Sequence, residues 1–215
     1  MNVDAQRSGN PGGVVLFGPP TAGKDTVSAA LTGLDARYGQ LTKIKVGSGR
    51  TTGYRMADRE ELDALRAADR VVLETTRYGN TYAVDRADLD AMTGAGRIPL
   101  VHMGSVDHLR TFSAAVREPW LCVLLWVPRE VCEQRSRGRG DLDTADRLAA
   151  WDEALADLSA VPEGEELFHL LLRSDRTDPA ATAALIAGAH AQPGRRYAEA
   201  GRLTAVLGEG ATADR

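Results

Sequence analysis

The chain has 215 residues, 43% of them hydrophobic and 26% charged, with a formal net charge of −4. That length supports one domain with insertions around a sizeable core. The small net charge excludes a global field for nucleic acid, and no apolar run approaches a membrane span, so an anion site has to be built from local cations.

The polar stretch Met1 to Gly12 lacks an apolar h-region and is expected to be a flexible leader. The first predicted strand is Val14 to Phe17. It runs into Gly18-Pro19-Pro20-Thr21-Ala22-Gly23-Lys24-Asp25-Thr26, and a helix is predicted from Lys24 to about Asp35. An apolar strand, a glycine-bearing turn and a lysine at a helix start form the layout of a phosphate-binding P-loop. Glycines let main-chain N–H groups close around phosphate oxygens, and the helix adds its positive end. Lys24 is expected to reach the β- and γ-phosphates of ATP. Asp25 stands where this motif usually has the Ser or Thr that binds Mg²⁺; a carboxylate is also a hard oxygen ligand, so Asp25 is a candidate metal ligand.

Gln40 to Val46 alternates polar and apolar residues and predicts a half-buried strand. Asp58 to about Ala68 predicts a helix with Leu62 and Leu65 on one face. Val71 to Glu74 predicts a short strand ending in a carboxylate, and Arg86 to Met92 a short helix before the turn Gly94-Ala95-Gly96. Ile98 to Met103 and Trp120 to Val127 predict buried strands. Cys122, in the second of them, reads as core packing. It and Cys132 make neither a disulfide framework nor a zinc spacing, and a reducing, cytoplasmic setting is expected. Helices follow over Arg129 to about Ser136 and about Ala145 to Leu158, then a strand over Glu166 to Leu172 and a helix over Pro179 to Ala189. Tyr197 to Leu207 predicts a marginal helix in the tail. Apolar strands alternating with helices predict an α/β fold, a parallel sheet with helices on both faces. Its ligand sites lie at the carboxyl ends of strands. The P-loop, Glu74, Gly104-Ser105 and Pro128-Arg129 are assigned to such ends.

Two further clusters carry charge chemistry. Gln134-Arg135-Ser136-Arg137-Gly138-Arg139-Gly140-Asp141 reads as an arginine-rich turn. Such arginines repel one another unless an anion or nearby acids neutralise them. They suit phosphoryl transfer, where cations surround the equatorial oxygens, and a glycine-flanked loop can close over ATP. The plain alternative is a solvated surface turn. Between Gly47 and Tyr82 lie groups suited to a second phosphate: Arg50, Thr51, Thr52, Tyr54 and Arg55. Glu74 needs a donor partner. Purine N–H groups, Arg77 or another structural ion pair are the options. His102, alone on its strand, reads as structural.

These residues together resemble the guanylate kinase family over about Val14 to His190. Gly18 to Lys24 resembles its P-loop. Tyr54-Arg55-Met56-Ala57-Asp58-Arg59-Glu60-Glu61-Leu62 resembles its tyrosine and Ser-Arg-Glu-Glu-Phe helix start. Glu74 with Gly79-Asn80-Thr81-Tyr82 resembles its Glu…Gly-Asn-Tyr-Tyr-Gly segment, and Arg137, Arg139 and Arg147 resemble its lid arginines. The resemblance implies a P-loop core over 13–191 with an acceptor-binding insertion at about 47–90, a mobile lid at about 135–147 and a tail over 192–215. It implies transfer of the ATP γ-phosphoryl group, with Mg²⁺, to a nucleoside monophosphate by a cytoplasmic monomer or homodimer without nucleic-acid or membrane partners. Tyr54 and Tyr82 match positions holding the acceptor phosphate, with Arg50 one residue off register. Glu74 matches the carboxylate that reads guanine. Lys24, Arg137, Arg139 and Arg147 match groups around the transferring phosphoryl.

Departures are visible as well. The segment before Tyr54 is shortened, Val84 replaces a hydroxyl residue, and His102-Met103-Gly104-Ser105 replaces an Asp-rich strand end. A GMP-like or modified purine nucleotide leads as acceptor. Asp25 and Gly104-Ser105 also resemble a neighbouring branch, ribose 1,5-bisphosphate phosphokinase, whose acceptor has no base. A non-catalytic protein-binding module of the same fold is the alternative from another class.

Overall fold

Every residue of the strand Val14–Phe17 (β1) is buried, because the strand lies in the middle of a sheet. The computed structural model describes residues 12–49, 51–77, 79–140, 143–192 and 203–208. Arg50 lies outside them. So do the expected leader, apart from Gly12, and most of the expected tail. After β1 come α1 (Lys24–Leu34), β2 (Tyr38–Gln40), β3 (Lys43–Val46), β4 (Tyr54–Met56) and α2 (Arg59–Ala67). Next are β5 (Val71–Arg77), β6 (Asn80–Asp85), α3 (Arg86–Gly94), β7 (Ile98–Met103), α4 (Val106–Ala115) and β8 (Leu121–Trp126). The chain continues through α5 (Arg129–Gly138), α6 (Thr144–Ser159), β9 (Leu170–Arg173) and α7 (Pro179–Ala191) to α8 (Leu203–Gly208).

Five strands form a parallel sheet in the order β2-β7-β1-β8-β9. β1 registers Val14 against both Leu100 and Leu121, which places Phe17 and the loop after it between the ends of β7 and β8. Helices flank the sheet: α1 packs on α7, and α4 and α5 pack on α6. Strands covered on both faces read as unbroken apolar runs, which is why β1 and β8 were legible as buried strands. Trp126 at the end of β8 is fully buried and packs at a tilt against Trp151 of α6, whose Nε1 donates to the Val127 carbonyl at 2.9 Å.

A second, four-stranded sheet has the order β4-β3-β6-β5. Here the sequence expectations need correcting. Gln40 to Val46 is not one strand: β2 ends at Gln40 in the large sheet and β3 begins at Lys43 in the small one. The strand expected over Val71 to Glu74 continues to Arg77 and returns as β6, an antiparallel hairpin whose turn carries Gly79 at φ 71°. Glu74 therefore sits mid-strand in the small sheet, not at the carboxyl end of a parallel strand. β4 and α4 were not anticipated, and α5 runs on through Gly138, so Arg135 and Arg137 are helical.

α2 covers one face of the small sheet. Asp58 caps it, accepting from the Glu61 N–H at 2.8 Å. Leu62 and Leu65, three apart, bury against Ile44 and Ala83. Asp85, with no exposed side-chain surface, joins this layer to α3: it accepts from Arg55, from Arg70 and from the Ala87 N–H.

β9 is approached through His169, whose N–H donates to the Cys122 carbonyl at 2.8 Å while its Nδ1 accepts from the Cys122 N–H at 3.0 Å. Burial holds its pKa below the ordinary 6.5, and an accepting Nδ1 has to stay unprotonated. The fold thus favours the neutral ring. That stability is complete above pH 6.5 and is lost as pH falls below it, because the unfolded chain takes up the proton first. His169→Asn, which retains an acceptor near the Nδ1 position, is expected to flatten part of the fall in thermal midpoint on acidification below pH 6.5. An unchanged pH profile would contradict this.

Candidate active site

The loop after β1 is held open by its own carbonyls. Lys24 Nζ curls back to donate to the Gly18 and Pro19 carbonyls at 2.7 and 2.8 Å. The Cys132 thiol donates to the Pro20 carbonyl, Arg135 to Thr21 and the Ser174 hydroxyl to Ala22. Every carbonyl from Gly18 to Ala22 is thus engaged. Pro19 and Pro20 carry no N–H, and Gly18 and Ala22 donate theirs to the Met103 and Pro19 carbonyls. The anion donors of this loop are therefore the N–H groups of the first turn of α1, which have no partner within the helix. Thr21 takes φ 59° and Gly23 φ 86° to make this turn. A β-branched residue in the left-handed region is strained, and strain of this kind is concentrated where a loop has a task. Thr26 lies exposed in the first turn of α1. Burial, reinforced by the charges of Arg77 and Lys43, lowers the Lys24 pKa to about 8 despite Asp25 beside it.

His102, near the end of β7, reads as structural from sequence, and the fold sets it beside the start of α1. Its Nε2 lies 2.7 Å from Ser28 Oγ, one turn along α1 from Lys24, and its Nδ1 faces Asp25 Oδ1 at 3.7 Å. Burial, then the Lys24 charge, lowers its pKa to about 4, so the ring is neutral near pH 7. The Asp25 side chain is 89% exposed. Its oxygens fit a divalent cation by donor chemistry, and the flanking imidazole is a second donor type.

Opposite lies the face of the small sheet not covered by α2. Cross-strand register puts Lys45 beside Tyr82, Tyr82 beside Thr75, and Lys43 beside Tyr54. Lys45 is buried, donates to the Ser48 carbonyl at 2.6 Å, and stands 5.6 and 5.7 Å from the ring centres of Tyr54 and Tyr82. Those rings contact each other at 5.3 Å. Lys43 Nζ reaches across to the His102 carbonyl at 2.9 Å, and burial lowers its pKa to about 8. This face is therefore cationic and aromatic, and its charge is felt at Lys24.

The structure brings Gly18 through Thr26 together and pairs Tyr54 with Tyr82. Glu74 does not join them. Side chains alternate along a strand, and Glu74 falls on the α2 side, bound twice by Arg66 at 2.9 and 2.6 Å. Arg77, the partner weighed from sequence, lies on the other face. Arg137 pairs with Glu133 and is 74% exposed, Arg147 pairs with Asp143, and Arg139 caps α5. Arg135 does touch the P-loop, donating to the Thr21 carbonyl, and also binds Ser174. Lys43 and Lys45 were also missed, although their two-residue spacing in an alternating strand was the available signal.

A lysine-bearing loop after the middle strand of a parallel sheet, with a small second sheet opposite, defines a P-loop kinase fold of the α/β class. More particularly, it is guanylate-kinase-like. Guanylate kinase from Anaplasma phagocytophilum matches over 83% of this chain and 84% of its own, at 17% identity and a TM-score of 0.55. A sugar kinase from Janibacter sp. matches over 83% and 97%, at 19% identity and a TM-score of 0.45. The YorR protein of Bacillus subtilis, solved with phosphorylated GDP, matches over 81% and 94%, at 14% identity and a TM-score of 0.38. These likenesses concern the fold. No family model and no curated protein matches the chain.

Proposed function

We propose that the chain transfers the γ-phosphoryl group of ATP to a small phosphorylated acceptor. One observation carries this reading: Lys24 of the P-loop feels the charges of Arg77 and Lys43 of the small sheet, and Lys43 shares its face with Lys45, Tyr54 and Tyr82, so the proposed cleft between loop and sheet is cationic on both sides. An acceptor phosphate oxygen forms the new bond to the γ-phosphorus, the bond to the bridging oxygen breaks, and ADP leaves. Lys24 steadies the charge in transit. Arg137, Arg139 and Arg147 are the mobile cations of the proposed lid and release Glu133 and Asp143 on closing. Mg²⁺, when bound, neutralises phosphate charge, and Asp25 is the residue that would hold it.

A sugar phosphate is the acceptor class the geometry favours. Glu74, the one base-reading carboxylate expected from sequence, is occupied by Arg66 behind the sheet. A GMP-like nucleoside monophosphate is the second reading, favoured by the Tyr54–Tyr82 pair. ADP release measured over ribose 1,5-bisphosphate, other sugar phosphates, GMP, dGMP, AMP, CMP and UMP separates the two. Highest kcat/KM on a base-free acceptor supports the first, and highest kcat/KM on a purine nucleotide overturns that preference. A protein-binding module of this fold gives no thermal stabilisation with ATP, whereas a ligand at 100 times its Kd adds about 2.7 kcal/mol.

Lys45→Met is expected to raise the acceptor KM about 10–100-fold while the KM for ATP stays near its original value, because a charge-assisted hydrogen bond contributes about 1.5–3 kcal/mol. An equal change in both constants would remove Lys45 from the acceptor side.

A further inference from the structure

P-loop proteins hold their divalent cation through a hydroxyl after the loop lysine and a carboxylate from a neighbouring strand. In this chain a carboxylate, Asp25, follows Lys24, and an imidazole, His102, stands on β7 beside β1. We propose that His102 Nδ1, together with Asp25, is a direct ligand of the cation that accompanies the nucleotide, and that the site consequently takes Mn²⁺ or Co²⁺ in preference to Mg²⁺. The inference rests on the P-loop reading above.

Three observations point this way. The contact between His102 and Ser28 at 2.7 Å occupies Nε2 and orients the ring. Metal-binding histidines are held in this manner through the nitrogen that does not bind metal. The remaining nitrogen faces a carboxylate oxygen at 3.7 Å, too far for a hydrogen bond between them. With Nε2–H donating to Ser28 Oγ, the tautomer the proposal requires, Nδ1 turns its lone pair toward Asp25, and the oxygen and nitrogen donors face one another. Two adjacent ligands of an octahedral ion with bonds of about 2.1 Å stand about 3 Å apart. The difference closes by rotation of the Asp25 carboxylate, which is 89% exposed. Among the described residues no third His, Cys, Asp or Glu joins the pair, so the phosphates of the nucleotide and water complete the shell. A nitrogen ligand moves preference away from Mg²⁺, which favours oxygen donors.

The test uses the full chain with Mn²⁺ and ADP. Spin-echo modulation spectroscopy detects a nitrogen nucleus bonded directly to Mn²⁺. The expected result is a nitrogen coupling in the native protein, its loss in His102→Gln, and Mn²⁺ binding in that variant weaker by about tenfold or more. Mn²⁺ and ADP bound without a nitrogen coupling overturns the proposal and leaves the P-loop reading standing, as does a coupling that persists unchanged in His102→Gln. Calorimetry of ADP alone identifies the other failure. No ADP binding removes the P-loop reading and this inference with it. The measurement on the native protein is decisive by itself should the variant not fold.

Discussion

Lys24→Ala is expected to lower kcat on the best acceptor by about 10²–10³-fold, the loss seen when a single preorganised donor to a transition-state oxygen is removed. The ammonium is already aimed: it rests on the Gly18 and Pro19 carbonyls at 2.7 and 2.8 Å, so little reorganisation separates the resting position from a phosphate oxygen in the same hollow. Its lowered pKa, about 8, reflects burial among other cations. An entering triphosphate reverses that imbalance and restores the full charge. Circular dichroism melts establish that the variant is folded, and ADP release under saturating substrate gives the rate. Turnover within threefold of the parent would exclude Lys24 from the chemistry.

Gly18→Ala is expected to cost stability as well as nucleotide binding. A Cβ at this position meets the Leu125 carbonyl oxygen at 2.2 Å and Ala22 Cβ at 3.2 Å, on a backbone with φ 159°. The obstructing atom is main chain in the middle of the sheet, since Leu125 registers against Leu172 of β9, and it cannot swing aside as a side chain does. Overpacking of this kind typically costs about 1–3 kcal/mol, and a rigid backbone neighbour places the loss at the upper end. Gly138 gives the contrast. It lies in α5 with nothing within 4 Å of an added Cβ, so Gly138→Ala is expected to be neutral or to stabilise by up to about 1 kcal/mol. Urea midpoints of the two variants check both statements, and equal midpoints would contradict the close approach of β1 and β8.

The P-loop was legible because its signal is local: an apolar strand, positive-φ glycine and lysine are contiguous, and each has its own physical reason. β7, β8 and α2 were legible for the same cause, through unbroken apolar runs or the pair Leu62 and Leu65. Which sheet a strand joins is not a local property. Gln40 to Val46 alternates except at Thr42-Lys43, two polar residues in a row, and on either side of that break Leu41 still bonds to Leu100 of the large sheet while Ile44 packs under α2. Glu74 illustrates a second limit. Whether a strand residue faces the cleft or the helix behind it depends on register, and a shift of one residue reverses the answer. The acid was read as facing a ligand, and the structure turns it to Arg66. His102, Lys43 and Lys45 became visible only when β7 and β3 came side by side, because their significance lies in what they face across the cleft.

The most direct test of phosphoryl transfer across this cleft follows γ-labelled ATP in the presence of each phosphorylated acceptor and a divalent cation. The expected result is label on one acceptor class in amounts equal to the ADP formed. Label found only in inorganic phosphate or left in ATP with every acceptor, at a rate unaffected by Lys24→Ala, would contradict it.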